Sequence, residues 1–122
     1  MMTFVYVFIG GGLGSLARFG LSKLFSQSSL YNFPLGTFIS NIVACIILAI
    51  IVLMVNQKSI SSEWLQPLLI IGFCGGFSTF STFSNETVIL MHQGSWGVAL
   101  ANILMSVGVG LGVIYWVYSR SN

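Results

Sequence analysis

Charge is what this sequence has least of. Arg18, Lys23, Lys58, Glu63, Glu86 and Arg120 are its only charged residues, 5% of 122, where soluble domains hold about 25%. That scarcity excludes an ordinary water-facing surface. The net charge of +2 is too small to draw the chain to nucleic acid. There are two cysteines, Cys45 and Cys74. Both fall in apolar stretches and read as small packing residues rather than a disulfide. No glycine-rich phosphate loop, zinc-ligand spacing or hydrolase elbow occurs, so nothing points to an enzyme.

What the sequence has instead is apolar length. The uncharged gaps run over 1–17, 24–57, 64–85 and 87–119, and a bilayer crossing needs roughly 20 apolar residues. Each gap has room, or nearly so, for one crossing. The expected fold is an all-α membrane protein with four transmembrane helices, at about 3–25, 34–55, 64–91 and 96–118. They form a single domain over 1–122. The first gap lacks the basic start and the small-residue cleavage site of a signal peptide and reads as a retained helix. The shortness of everything between the spans suits a bacterial inner membrane.

Within the spans, small and polar residues are grouped. Gly10 and Gly14, like Gly11 and Ser15, are four apart in the first helix, a spacing that lets membrane helices approach closely. Residues 26–33 read as a polar loop, with Pro34 in the first turn of the second helix, where it costs least. Thr37, Ser40 and Asn41 share one face of that helix. The third stretch is longer than a straight crossing requires, and its surplus predicts a helix broken near its middle, at Gly75-Gly76. Then come Phe77, Phe80 and Phe83 at spacing three, beside rows of Ser78/Ser81 and Thr79/Thr82. Asn102 and Ser106 lie one turn apart in the fourth helix. Trp64, Trp96, Trp116 and Tyr118 sit near span ends, as in an aromatic belt.

The basic residues divide evenly. Lys58 and Arg120 fall on one side of a four-helix chain, Lys23 and Arg18 on the other. The positive-inside rule then gives no preferred orientation, and antiparallel pairing of the two orientations is a natural consequence.

Each polar group has two readings at this stage. Carbonyls freed at a glycine break are partners for a cation or mark a kink held by neighbouring side chains. The Phe-Ser-Thr rows can present positive ring edges and hydroxyl donors to an anion, or pack while the hydroxyls bond back to their own helix. Asn41 coordinates a passing ion or bonds a neighbouring helix; Thr37, Ser40 and Ser106 are weaker cases of the same kind. Arg18 draws anions into a vestibule or snorkels to the headgroups. Glu86 is a proton-coupling carboxylate or an interfacial residue, and His92 reads as a loop residue.

Three motifs together resemble the Fluc/CrcB family of fluoride channels, over almost the whole chain. They are Gly10-Gly11-Gly12-Leu13-Gly14-Ser15-Leu16-Ala17-Arg18, Gly36-Thr37 followed by Asn41, and the run from Gly72 to Ser84 with Glu86. The resemblance implies a fluoride-selective channel that exports fluoride passively from the cytoplasm and lowers its toxicity. It implies an antiparallel dual-topology homodimer with two pores and a structural sodium ion at the dimer centre. On this chain the sodium ligands would be the backbone carbonyls of Gly75 and Ser78. Phe80 and Phe83 would line each pore with ring edges. Asn41, Ser81, Thr82 and Ser106 would be its polar partners, with Thr37 on the face of Asn41 and Arg18 as the vestibule charge. Family members commonly carry threonine at the position of Ser78, a change that a carbonyl ligand tolerates. Many have a hydroxyl where this chain has Gly110, so that position is given no role.

Two other classes compete. A proton-coupled exporter resembling the small multidrug resistance proteins is also short and four-helical, but needs a carboxylate in its first helix. Residues 1–17 contain none. A non-transporting membrane scaffold would account for the glycines but not for the Phe-Ser-Thr rows beside Asn41.

Overall fold

The computed structural model describes residues 2–25, 33–57 and 62–120. Four helical stretches are long and apolar enough to cross a membrane: Met2–Leu24, Leu35–Asn56, Glu63–His92 and Trp96–Arg120. The first two are the continuous helices α1 (Met2–Leu24) and α2 (Leu35–Asn56). The third span is composite. It starts as α3 (Ser62–Leu65), widens into a π-helical segment (Gln66–Cys74), and tightens into α4 (Gly75–Phe77). Two extended residues later it resumes as α5 (Phe80–His92), and α6 (Trp96–Arg120) follows. The expected loops at 26–33 and 56–63, with Lys58, lie largely outside the described residues.

Local chemistry sets the boundaries. Pro34 caps α2 with φ −77°, close to the angle its ring imposes. The turn from α5 to α6 is a Schellman closure: Ser95 N–H donates to Leu90 O at 2.8 Å, and Gly94 N–H to Met91 O at 3.0 Å. Gly94 has φ +83°, a left-handed conformation open to glycine at little cost.

Helix α1 lies along the π-helical segment and α4, α2 runs beside α6, and α5 leans on α6. The first contact is backbone against backbone. A Cβ built on Gly10 would sit 2.9 Å from Phe73 N, and one on Gly14 would sit 2.8 Å from Phe77 N. From the other side, a Cβ on Gly76 would lie 3.1 Å from Gly11 Cα. The four-residue glycine spacing thus seats α1 on the third span. Ser15 faces outward. Gly110 is buried, with Cys45 Sγ 3.3 Å from where its Cβ would be, so its small size lets α6 meet α2. Cys45 and Cys74 are free thiols. Large apolar side chains such as Phe4, Phe8, Leu16, Leu104 and Leu111 are exposed, as a lipid solvent allows.

One expectation is corrected. Gly75 and Gly76 are helical; the extended residues are Ser78 (φ −87°, ψ 159°) and Thr79 (φ −156°, ψ 124°). Gly76 serves close packing against α1, Gly75 is exposed with nothing within 4 Å of its Cβ position, and hydroxyl residues take up the irregular backbone.

Candidate functional site

Two extended residues at bilayer depth strand backbone donors and acceptors, and each needs a partner inside the protein. Ser78 still reaches back: its N–H and its hydroxyl both donate to Cys74 O, at 3.0 and 2.8 Å. Thr79 is held from α2. Its N–H donates to Asn41 Oδ1 at 2.8 Å, and Asn41 Nδ2 donates to Thr79 O at 3.4 Å. The amide thereby completes a backbone-like pair with the extended residue. Thr79 also caps the next helix, its Oγ1 accepting from Thr82 N–H at 3.2 Å, a preferred N-cap arrangement. At the end of α4, Arg18 Nε donates to Gly76 O at 3.2 Å. Gly10, Gly14 and Arg18 follow one another at spacing four on α1, so the glycine stripe ends in the cation that meets this carbonyl. A cation at a helix C-terminus also complements the helix dipole.

These bonds divert donors from two specific carbonyls. In a continued helix Thr79 N–H would donate to Gly75 O, and Thr82 N–H to Ser78 O. Here the first goes to Asn41 and the second to Thr79 Oγ1. Gly75 and Ser78 therefore give up their helical donors at the interruption. No cluster of His, Cys, Asp or Glu able to hold a metal exists among the described residues.

Beside the interruption is a cavity of about 270 Å³, lined by Asn41, Cys45, Ser78, Thr79, Phe80, Phe83, Ser106 and Val107. It brings together Asn41, Phe80, Phe83 and Ser106 of the expected pathway, without a formal charge. The rings of Phe80 and Phe83 are 6.0 Å apart, inclined at 40°. Phe80 is 80% exposed on the single chain. Ser81 and Thr82 are outside this lining. Ser81 is exposed, with its Oγ 3.3 Å from Thr79 Oγ1, and Thr82 enters through its backbone N–H.

Thr37 lines a second cavity, of about 370 Å³, whose polar wall includes Ser22, Thr37, Glu86 and Gln93. Glu86 interacts with the Thr37 side chain, while its Oε1 is buried with no partner among the described residues. Thr37 and Asn41 are four apart on α2, a rise of about 6 Å, so the two cavities succeed each other along one face of that helix. Ser40, between them, is buried and bonds back to Gly36 O at 2.8 Å.

A further set of polar residues joins the cavity wall to α5. Ser106 Oγ donates to Asn102 Oδ1 at 3.2 Å, Asn102 Nδ2 to Thr87 Oγ1 at 2.9 Å, and Thr87 Oγ1 to Phe83 O at 2.7 Å. Asn102 is 1% exposed and Thr87 4%. The one-turn spacing of Asn102 and Ser106 was visible in the sequence; that Thr87 would meet them was not.

Residues 5–118 match the family described as CrcB-like protein, Camphor Resistance (CrcB). Among curated relatives, the chain is 40% identical to a fluoride-specific ion channel FluC of Methylobacillus flagellatus, over 95% of this chain and 91% of that one. It is 37% identical to a protein of the same name from Phocaeicola vulgatus, over 97% and 98% of the two chains. A third, from Magnetococcus marinus, is 40% identical over 87% and 86%.

Proposed function

The chain belongs to the CrcB family, and we propose that it is a multi-pass channel passing fluoride selectively out of the cytoplasm, across a bacterial inner membrane, without coupling to another gradient. The observation that carries this reading is the uncharged cavity beside the interruption, where Asn41, Phe80, Phe83 and Ser106 meet. Its relatives' shared name supports the choice of ion.

Fluoride is small and strongly hydrated, so the pathway must replace water with donors that also let go. A fixed positive side chain would hold the ion too firmly, and none lines this cavity. Asn41 spends one Nδ2 hydrogen on Thr79 O; the second is the donor assigned to the ion. Phe80 and Phe83 offer the positive edges of their rings. Ser81 and Thr82 continue the hydroxyl row on α5, and Thr37 serves the neighbouring cavity. Arg18, anchored on Gly76, adds positive potential that raises the local anion concentration.

The working unit in this reading is an antiparallel pair of chains. Gly75, Ser81 and Asn85 are exposed in the third span, and polar groups at that depth need protein or water against them. A second copy meets that need and covers Phe80. The Gly75 and Ser78 carbonyls, short of their helical donors, suit a sodium ion, a hard cation served by oxygen; two copies supply four of them. When bound there, sodium would contribute a local positive charge to the anion's surroundings.

Anion efflux from liposomes carrying the purified protein tests the reading. Fluoride leaks, chloride is retained, and collapse of a proton gradient changes nothing. Retention of fluoride by vesicles holding folded protein would reject it.

A further inference from the structure

Ser106 faces the cavity from α6, but its proton points elsewhere. A carbonyl only accepts, so Thr87 must donate its one hydroxyl proton to Phe83 O, 2.7 Å away. The Thr87 oxygen can then only accept along this chain, and Asn102 must present its Nδ2 there, at 2.9 Å. That leaves Asn102 Oδ1 toward Ser106, and an amide oxygen only accepts. Ser106 therefore donates to it, at 3.2 Å. The polarity of all three bonds follows from one backbone carbonyl at the far end. The network is enclosed, with Asn102 1% and Thr87 4% exposed, so water does not readily exchange these partners.

Resting on the channel reading above, we propose that Asn102 is a positioning residue that turns the Ser106 proton away from the ion pathway. In this state the α6 wall of the cavity offers lone pairs to its contents, and an anion there meets an acceptor. The wall of α2 and α5, with Asn41 and the two rings, carries the attraction. An ion gripped from one wall is released more readily than one gripped from both, and release is half of what conduction requires. Asn102 thus weakens binding in favour of throughput. Without it Ser106 is free to rotate its proton into the cavity and hold the anion.

The test is fluoride efflux from proteoliposomes over a range of fluoride concentrations, for wild type, Asn102→Leu, Ser106→Ala and the double variant. Each must first elute as a single folded species. Asn102→Leu is expected to lower the half-saturating concentration and the maximal rate together, by about threefold to fifteenfold, the range of one interhelical hydrogen bond in a membrane. Because the effect runs through Ser106, the double variant should match Ser106→Ala alone. Should Asn102→Leu fail to fold, Thr87→Val replaces it. That variant removes the oxygen that orients the amide and should shift both parameters in the same direction. A half-saturating concentration that rises or stays fixed, or a double variant as impaired as Asn102→Leu, overturns the proposal while leaving the channel intact. A silent wild type removes the channel reading and this one with it.

Discussion

Asn41 and Thr79 exchange hydrogen bonds in both directions, N–H to Oδ1 at 2.8 Å and Nδ2 to carbonyl at 3.4 Å. A side chain of α2 thereby stands in for a strand partner at the one place where the third span is extended. The same residue that lines the cavity also makes the interruption tolerable in lipid.

Removing that amide should therefore cost stability as well as flux. Asn41→Leu keeps the volume but leaves Thr79 N–H without its acceptor, a loss of about 1–3 kcal/mol for a buried unpaired group. Thermal unfolding in detergent should show a clear drop, and efflux should fall with it. A variant as stable as wild type would mean that Thr79 finds another partner, and that the amide is not what sustains the extended backbone.

The glycine contacts make a sharper steric prediction. A Cβ on Gly14 would lie 2.8 Å from Phe77 N, and a backbone atom cannot swing aside as a side chain can. Gly14→Ala is expected to destabilise the protein by about 1–3 kcal/mol through overpacking. Gly97→Ala, exposed and with nothing within 4 Å of its Cβ position, should lose nothing. Expression level and detergent melting temperature separate the two; equal behaviour would contradict the close approach of α1 to the third span.

Much of this was legible in the sequence, for identifiable reasons. Charge-free gaps reveal spans because the bilayer penalises charge at every position, so α1, α2 and α6 need no tertiary knowledge. Glycines four apart announce a close helix contact, but not its partner, which depends on how distant segments dock. The interruption shows the limit. Glycine is the usual signal for loosened backbone, yet Gly75 and Gly76 stay helical, and Gly76 is spent on the close approach of α1 at Gly11. Ser78 and Thr79 are the extended residues instead, and it is Asn41, far away in sequence, that supplies the partner for Thr79. The π-helical winding over Gln66–Cys74 left no recognisable mark in the sequence.

The proposed sodium site predicts a salt-specific stability. Replacing sodium with a bulky organic cation at constant ionic strength should lower the melting temperature, and adding sodium back should restore it. The gain is about 2.7 kcal/mol once sodium is a hundredfold above its dissociation constant. Ser78→Ala should keep the response, because it deletes the hydroxyl bonded to Cys74 O at 2.8 Å and spares the carbonyl. Melting curves indifferent to the cation would remove sodium from the account.

The ring edges are tested by Phe80→Ile and Phe83→Ile. Isoleucine keeps apolar bulk but has no electropositive edge, so an anion guided by the rings loses an interaction of about 0.5–1.5 kcal/mol at each. That corresponds to a fall in flux of roughly twofold to tenfold per ring. The two sites differ in what else they disturb. Phe80 is 80% exposed on the single chain, so its replacement leaves the chain's own interior intact. Phe83 also contributes its backbone carbonyl to the Thr87 bond, which substitution of the side chain preserves. Both variants should elute as wild type does on size exclusion. Full flux in both would take the rings out of the mechanism and leave Asn41 as the principal donor in the cavity.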